Sequence, residues 1–264
     1  LKQVLTIAGS DPGGGAGIQA DIKAIQASGA FALSVITSVT AQNTLQVRRA
    51  FDLPIDLIAD QLDAVFADFE IAALKTGMLS SAEIAETVAG KLEEYAPVNL
   101  VVDPVMVAKS GFRLLRPEAE EVLRKKLLPL ALLVTPNIPE AEVLAGMRIE
   151  RPEQVQEAAR RIQEYGCQAV LVKGGHLEGA KAVDLLFDGE EFAQYAAERI
   201  QTRHTHGTGC TYSAAIAAHL GLGKGLKEAV GAAKEYITEA IRHAPGIGQG
   251  RGPVHHFYFL ESRR

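Results

Sequence analysis

The chain has no tryptophan, only two cysteines, and no charged residue between Ala24 and Val47. With Cys167 and Cys210 as its only thiols and no Cys-x-x-Cys spacing, a disulfide framework, structural zinc and thioredoxin-like chemistry are excluded. Cys167, in Tyr165-Gly166-Cys167 ahead of an apolar run, is expected to be structural. Tyrosines and phenylalanines are scattered, so no platform exists on which the bases of a single strand could stack. A surplus of positive charge is also missing. The net charge is −5 and the pI near 5.8, which argues against a nucleic-acid surface. The uncharged run from Ala24 to Val47 approaches membrane-spanning length, but Gln26, Ser28, Ser34, Thr37, Thr40, Gln42 and Asn43 interrupt it, and no membrane segment is expected. The first residues enter an apolar stretch, Val4-Leu5-Thr6-Ile7-Ala8, without the basic and long hydrophobic parts of a secretory signal, so a cytoplasmic location is expected.

What the chain does have is an alternation of short apolar runs with helical periodicity, the pattern of a mainly parallel sheet covered on both faces. Strands are predicted at Val4–Ala8, Leu33–Val39, Ala72–Lys75, Leu100–Asp103, Leu132–Thr135 and Ala169–Lys173, several of them rich in Val, Ile and Leu throughout. Between them Ile18, Ile22 and Ile25 share a helical face, as do Ile58, Leu62, Val65 and Phe69, then Ile84, Val88 and Leu92, then Val155, Ala159 and Ile162. Ala182–Asp188 and Glu191–Tyr195 around Gly189 predict an antiparallel hairpin, and helices over Gly209–Leu220 and Leu226–Arg242 follow. At 264 residues, with nothing that reads as a linker, one α/β domain over 1–264 accounts for the chain.

In such a sheet ligands sit beyond the carboxyl ends of the strands, and nearly every predicted strand exits there into a Gly, Pro or polar cluster. The most informative cluster is Gly207-Thr208-Gly209-Cys210, ahead of a helical stretch from Thr211 to Leu220. Small residues and the unpaired donors of a first helical turn make an anion trap suited to a transferring phosphoryl group. A thiol pKa lowered by the helix dipole would let Cys210 accept a proton or a hydrogen bond from an attacking hydroxyl. The plainer reading is a glycine-lined loop with Cys210 as a small buried hydrophobe.

Gly15-Ala16-Gly17-Ile18-Gln19-Ala20 fits a loose dinucleotide fingerprint, but the ribose-binding carboxylate expected about 20 residues on is missing, and no Gly-Lys-[Ser/Thr] of a P-loop occurs. Asp103 and Glu140 follow adjacent predicted strands and could hold Mg²⁺ through water, or else serve as a loop residue and a helix-capping residue. Lys173, backed by Gly174-Gly175, is placed to meet phosphates. His204 and His206 flank the trap and raise a Cys–His hydrolase as an alternative, in which the two carboxylates would have no role. The adjacent His255 and His256 point to opposite faces of an extended segment and are read as structural.

With those clusters placed, the chain resembles the ribokinase superfamily, and within it the hydroxymethylpyrimidine and phosphomethylpyrimidine kinases. The resemblance runs nearly end to end. It is carried by Ala8-Gly9-Ser10-Asp11-Pro12 with Gly14 to Asp21, Ala41-Gln42-Asn43-Thr44, Lys75-Thr76-Gly77-Met78-Leu79, and Asp103-Pro104-Val105-Met106 with Ala108-Lys109-Ser110-Gly111. Thr135-Pro136-Asn137 with Pro139-Glu140-Ala141, Lys173-Gly174-Gly175-His176, Thr205 to Thr211 and Gly252 to Phe257 complete it. The resemblance implies a three-layer α/β/α ribokinase-like fold, transfer of the γ-phosphate of MgATP to 4-amino-5-hydroxymethyl-2-methylpyrimidine and then to its monophosphate, and a homo-oligomer, a dimer. It implies that Gln42 hydrogen-bonds the pyrimidine in a site with Gly9 and Asp11, and that Met78 and Val105 pack on its ring. Gly207, Thr208, Gly209 and Cys210 would form the anion hole, Asp103 and Glu140 would organise Mg²⁺, and Lys173, Asn137 and Lys234 would lie on the nucleotide side. Most sugar and pyridoxal kinases of the superfamily carry Asp where this chain has Cys210. Some pyridoxal-phosphorylating relatives share the Cys but add a second one in the lid loop, which here reads Val107-Ala108-Lys109-Ser110-Gly111; pyridoxal is therefore the alternative substrate.

Overall fold

Successive residues of the strands send their side chains to opposite faces. In the computed structural model, which describes residues 1–108, 111–174 and 180–263, these faces bury two separate cores. Lys109, Ser110, Gly175 and His176 lie outside the described residues.

The chain order is β1 (Gln3–Ser10), α1 (Gly17–Ala27), β2 (Phe31–Gln42), β3 (Val47–Asp52), α2 (Ile55–Asp68), β4 (Ile71–Thr76), α3 (Ala82–Tyr95) and β5 (Leu100–Val102). Then come α4 (Pro117–Val122), β6 (Leu133–Val134), α5 (Ile138–Ala145), α6 (Pro152–Gln163), β7 (Ala169–Val172), β8 (Lys181–Phe187), β9 (Phe192–Glu198), α7 (Thr208–Gly221) and α8 (Leu226–Arg242). One sheet runs in the order β3-β2-β1-β4-β5-β6-β7-β8-β9. The strands from β2 to β7 pair in parallel, and β3, β8 and β9 are antiparallel additions at the two sides.

On one face Leu5, Ile7, Leu74, Val102 and Val134 pack with Ile58 and Leu62 of α2, Ile84 and Val88 of α3 and Val155 and Ile162 of α6. On the other, Val4, Ala73, Val101 and Leu133 meet α1, α7 and α8, where Ala214, Ala217, Ala229 and Ala233 keep the helices close to the sheet. The result is the three-layer α/β/α arrangement, and Cys167 is buried in the first of these cores. Buried in an apolar setting, the Cys167 thiol is pushed up to about 12, as befits an inert packing residue.

Three expectations change. β2 runs on to Gln42 rather than ending at Val39, because β3 returns antiparallel and pairs Val39 with Phe51 and Gln42 with Val47. Gln42 thus sits at a strand end, not in a loop. β3 itself, Val-Arg-Arg-Ala-Phe-Asp, had no apolar run to reveal it, since an edge strand with little buried surface needs none. Finally, α7 begins at Thr208, ahead of both Gly209 and Thr211, so most of the glycine cluster forms the first helical turn.

The chain leaves β1 to one side for β2 and returns to its other side as β4, and this reversal opens a crevice at the carboxyl ends. The loops after β1, β4, β5, β6 and β7 converge there with the start of α7.

Candidate active site

A cavity of about 900 Å³ occupies that crevice, room enough for a nucleotide and a small ring together. Gly9, Asp11, Gln42, Met78, Val105, Asp103, Asn137, Glu140, Lys173, Lys234 and the Gly207–Cys210 turn, spread over the whole chain, all line it.

Gly207 caps α7 with a left-handed backbone, φ 73°, and a Cβ there would fall on the carbonyl of Gly15. The two glycine segments therefore meet only because neither bears a side chain. Thr208 turns its Oγ1 back to the carbonyl of Thr205 at 2.8 Å, while the N–H groups of Gly209 and Cys210 belong to the first turn, where a helix leaves its donors unpaired. Ser213, one turn on, donates its hydroxyl among the Gly209 carbonyl, the Cys210 carbonyl and Asp103 Oδ2, tying the trap to the acidic residue.

The Cys210 thiol departs from expectation. Loss of solvent around it pushes its pKa up to about 11, although Lys75 and the backbone N–H of Gly17 pull it down. Desolvation penalises the thiolate more than the helix terminus favours it.

Asp103 is buried directly after β5. Its Oδ1 accepts from Lys173 Nζ at 2.7 Å and Thr135 Oγ1 at 3.1 Å. Burial pushes its pKa up, but Lys173 and Lys75 pull harder, and the carboxyl stays below its ordinary range. Glu140 closes a capping box on α5: its N–H donates to Asn137 Oδ1 at 2.9 Å and its Oε2 accepts from the Asn137 N–H at 2.8 Å. Burial lifts Glu140 to about 7 against the pull of Lys173. The capping role weighed in the sequence is thus observed, with Glu140 still on the cavity wall. Among the described residues no group of three or more His, Cys, Asp or Glu side chains is placed to hold a metal ion. Two carboxylates alone suit a hard cation that keeps waters and phosphate oxygens in its shell.

Asp11 lines the cavity, yet its carboxylate serves the loop. Oδ1 accepts from the Gly13 N–H at 2.8 Å; Oδ2 accepts from Gly15 at 3.1 Å, Ala16 at 2.9 Å and His206 Nε2 at 2.8 Å. A carboxylate only accepts, so His206 carries its proton on Nε2. Burial raises the Asp11 pKa, but His206 and the loop N–H groups prevail and lower it. The same His206 nitrogen lies 3.2 Å from Gln42 Nε2, and with its proton given to Asp11 it cannot accept from that amide, so the two side chains are neighbours and not a hydrogen-bonded pair. Gly9 admits Met78, since a Cβ at Gly9 would collide with the Met78 methyl group. Lys234 of α8 is held at 2.7 Å by the buried Asp184 of β8, whose other oxygen accepts from the Gly174 N–H.

Sequence reasoning overlooked Asp184, the positioning part of His206, and above all Lys75. This lysine is fully buried, its Nζ 2.8 Å from Asp21, and Thr6 Oγ1 donates to the same carboxylate oxygen at 2.6 Å. One signal was available: a cation ending the otherwise apolar strand Ala72-Ala73-Leu74-Lys75.

Residues 11–255 match the phosphomethylpyrimidine kinase family. The chain belongs to that family. It is 52% identical over 257 residues to the hydroxymethylpyrimidine/phosphomethylpyrimidine kinase of Rhizobium meliloti, covering 96% of each chain. It is also 52% identical to the thiamine biosynthesis bifunctional protein ThiED of Geobacter sulfurreducens, with 99% of this chain matching 53% of that longer protein. Among solved structures, phosphomethylpyrimidine kinase from Clostridium difficile superposes with a TM-score of 0.82 at 47% identity, over 91% of this chain and all of that one. The ADP complex of Bacillus subtilis pyridoxal kinase superposes with a TM-score of 0.92 at 40% identity, over 98% and 99% of the two chains. The protein is thus a ribokinase-like phosphotransferase of the pyrimidine-kinase branch. Among the described residues no helix is long and apolar enough to cross a membrane.

Proposed function

We propose that this kinase moves the γ-phosphoryl group of ATP to the hydroxymethyl oxygen of 4-amino-5-hydroxymethyl-2-methylpyrimidine, and then phosphorylates the monophosphate to the diphosphate. The observation that carries the reading is the opening of α7 at Cys210 into the cavity that also holds Gln42 on one side and Lys173 on the other. Phosphoryl transfer has a loose transition state, so positioning and charge neutralisation matter more than strong base catalysis. In this reading Gln42 hydrogen-bonds the aminopyrimidine edge, Met78 and Val105 pack on the ring, and Gly9 and the Asp11-ordered loop shape its berth. The first turn of α7 and Lys173 receive the charge of the transferring group, with Asn137 and Lys234 beside the nucleotide. Asp103 and Glu140 would hold Mg²⁺, which when bound offsets phosphate charge. The hydroxyl proton passes to the thiolate form of Cys210 as the oxygen–phosphorus bond forms and the bond to ADP breaks.

Purified protein assayed for ADP release with the hydroxymethylpyrimidine, its monophosphate and pyridoxal tests the reading. Turnover of both pyrimidines is expected, and efficient turnover of pyridoxal alone would overturn it. Substituting Gln42→Leu should leave a polar edge of the ring unpaired and cost about 1–3 kcal/mol in pyrimidine binding, with ATP affinity unchanged. An unaltered pyrimidine KM would place Gln42 outside the site.

The proposal extends to a homodimer in the cytoplasm, where a free catalytic thiol stays reduced. Edge strand β3 leaves Phe51 57% exposed beside Val39, its register partner, 44% exposed. A second copy seated on this face of the sheet would cover both. Sedimentation should show a dimer that Phe51→Glu dissociates; a wild-type monomer would refute this assembly.

A further inference from the structure

The first glycine loop has the make-up of an anion-binding nest, yet the structure fills it from within. The buried Asp11 carboxylate takes the N–H groups of Gly13, Gly15 and Ala16, and the Gly14 N–H donates to the Asp11 carbonyl at 2.9 Å. These are the donors that such a loop would otherwise offer to a phosphate. With all four taken, the loop is set as a rigid block. Helix α1 braces it further, since Lys23 Nζ donates to the Gly14 carbonyl at 2.8 Å and Gln19 Oε1 accepts from the Asp11 N–H at 2.8 Å. The remaining donor on the carboxylate comes from far along the chain. His206 Nε2 stands 2.8 Å from Asp11 Oδ2, and α7 begins two residues later. The backbone of His206 is held as well, donating its N–H to the Gly252 carbonyl at 3.0 Å. Gly15 packs so tightly here that a Cβ on it would collide with the His206 ring, just as one on Gly207 would collide with the Gly15 carbonyl. Gly207 in turn accepts from the Thr211 N–H at 2.8 Å, the first backbone bond of α7, but brings no side-chain cap to that helix.

We propose that Asp11 and His206 form a clamp that positions the first turn of α7: the carboxylate, fixed in the glycine loop, holds His206, and His206 holds the Gly207 turn that aims the N–H groups of Gly209 and Cys210 at the transferring phosphoryl group. Both are positioning residues. The inference rests on the reading of that turn as the phosphoryl site and goes beyond it, because it gives the pair a part in the chemical step. A helix start without a side-chain cap is free to shift unless its neighbours hold it. A misplacement of about 1 Å in a group that meets the transition state costs about 10²-fold in rate. The clamp is thus felt in kcat more than in ground-state binding.

The test compares His206→Leu, which removes the donor and keeps a side chain of similar bulk, with His206→Gln, whose amide N–H reaches as far as the imidazole Nε2. In His206→Leu the loop keeps its own three N–H bonds to the Asp11 carboxylate, so the pyrimidine KM and the Kd for ADP should stay within about twofold while kcat falls about 10–100-fold. His206→Gln should recover most of that loss. ADP with aluminium fluoride mimics the transferring group, so the wild type should bind the pair more tightly than ADP alone, and His206→Leu should forfeit about tenfold or more of the gain. Asp11→Ala should lose a similar factor in kcat, and the double variant little more than either single one, since each breaks the same clamp. Asp11→Ala also carries the test should His206→Leu not fold. Wild-type kcat in His206→Leu, losses that multiply in the double variant, or a raised pyrimidine KM with kcat intact would each overturn the proposal, the last by assigning His206 to the pyrimidine berth alone. A wild type that gains nothing from aluminium fluoride would instead defeat the parent reading of α7, and the clamp with it.

Discussion

Cys210→Ala is expected to fold and to bind nucleotide as the wild type does, yet to turn over about 10²–10⁴-fold more slowly. Binding survives because the donors of Gly209 and Cys210 in the first turn of α7 are backbone groups, indifferent to the side chain. Turnover falls because the substrate hydroxyl loses its proton acceptor. The elevated thiol pKa of about 11 adds a second expectation. Below that value the thiolate fraction grows tenfold per pH unit, so kcat/KM of the wild type should climb from pH 7 to 9 while that of Cys210→Ala stays flat. Cys210→Asp should recover part of the rate, being ionised at neutral pH. Its charge would repel a substrate that already bears a phosphate, so this variant should prefer the hydroxymethylpyrimidine over the monophosphate. If steady-state rates of Cys210→Ala equal those of the wild type with both substrates, Cys210 only packs, and catalysis rests on the helix terminus and the metal.

Asp103→Asn carries the other large effect, since one carboxylate serves several partners. It pairs with Lys173 at 2.7 Å and receives Thr135 and Ser213, the latter bonded in turn to the carbonyls of the trap. Neutralising it leaves a buried ammonium uncompensated, a loss of about 3–5 kcal/mol when one partner of such a pair is removed. It also takes away the stronger of the two proposed Mg²⁺ anchors. Activity should fall by about 10²–10⁴-fold at a fixed magnesium concentration and recover in part as magnesium is raised. Glu140→Gln, which retains an acceptor for the Asn137 N–H, should shift the magnesium requirement more mildly. Titrations of rate against magnesium that superimpose for wild type and both variants would remove these carboxylates from the metal.

Local chemistry along the chain was enough to predict the α/β class, the central parallel strands and the helices α1, α2, α3, α6, α7 and α8, because strands buried on both faces must be apolar throughout and amphipathic helices repeat at their own period. It also pointed to residues that line the cavity, since glycines, carboxylates and a lysine placed directly after strands are costly unless a ligand or a turn uses them. The edge strand β3 escaped notice because its residues bury little, so nothing in Val47 to Asp52 had to be apolar. The thiol of Cys210 was misjudged for a related reason. A helix terminus can be read from Gly207-Thr208-Gly209, but desolvation depends on what packs around the sulfur from α1, β4 and β5, residues far away in the chain. The Asp21–Lys75 and Asp11–His206 pairs join positions 54 and 195 residues apart. Sequence alone determined which groups this protein carries and on which elements they ride. Only the tertiary structure decided which charges face one another out of water, because partner distance and solvent exclusion are properties of packing and are not encoded in any local stretch.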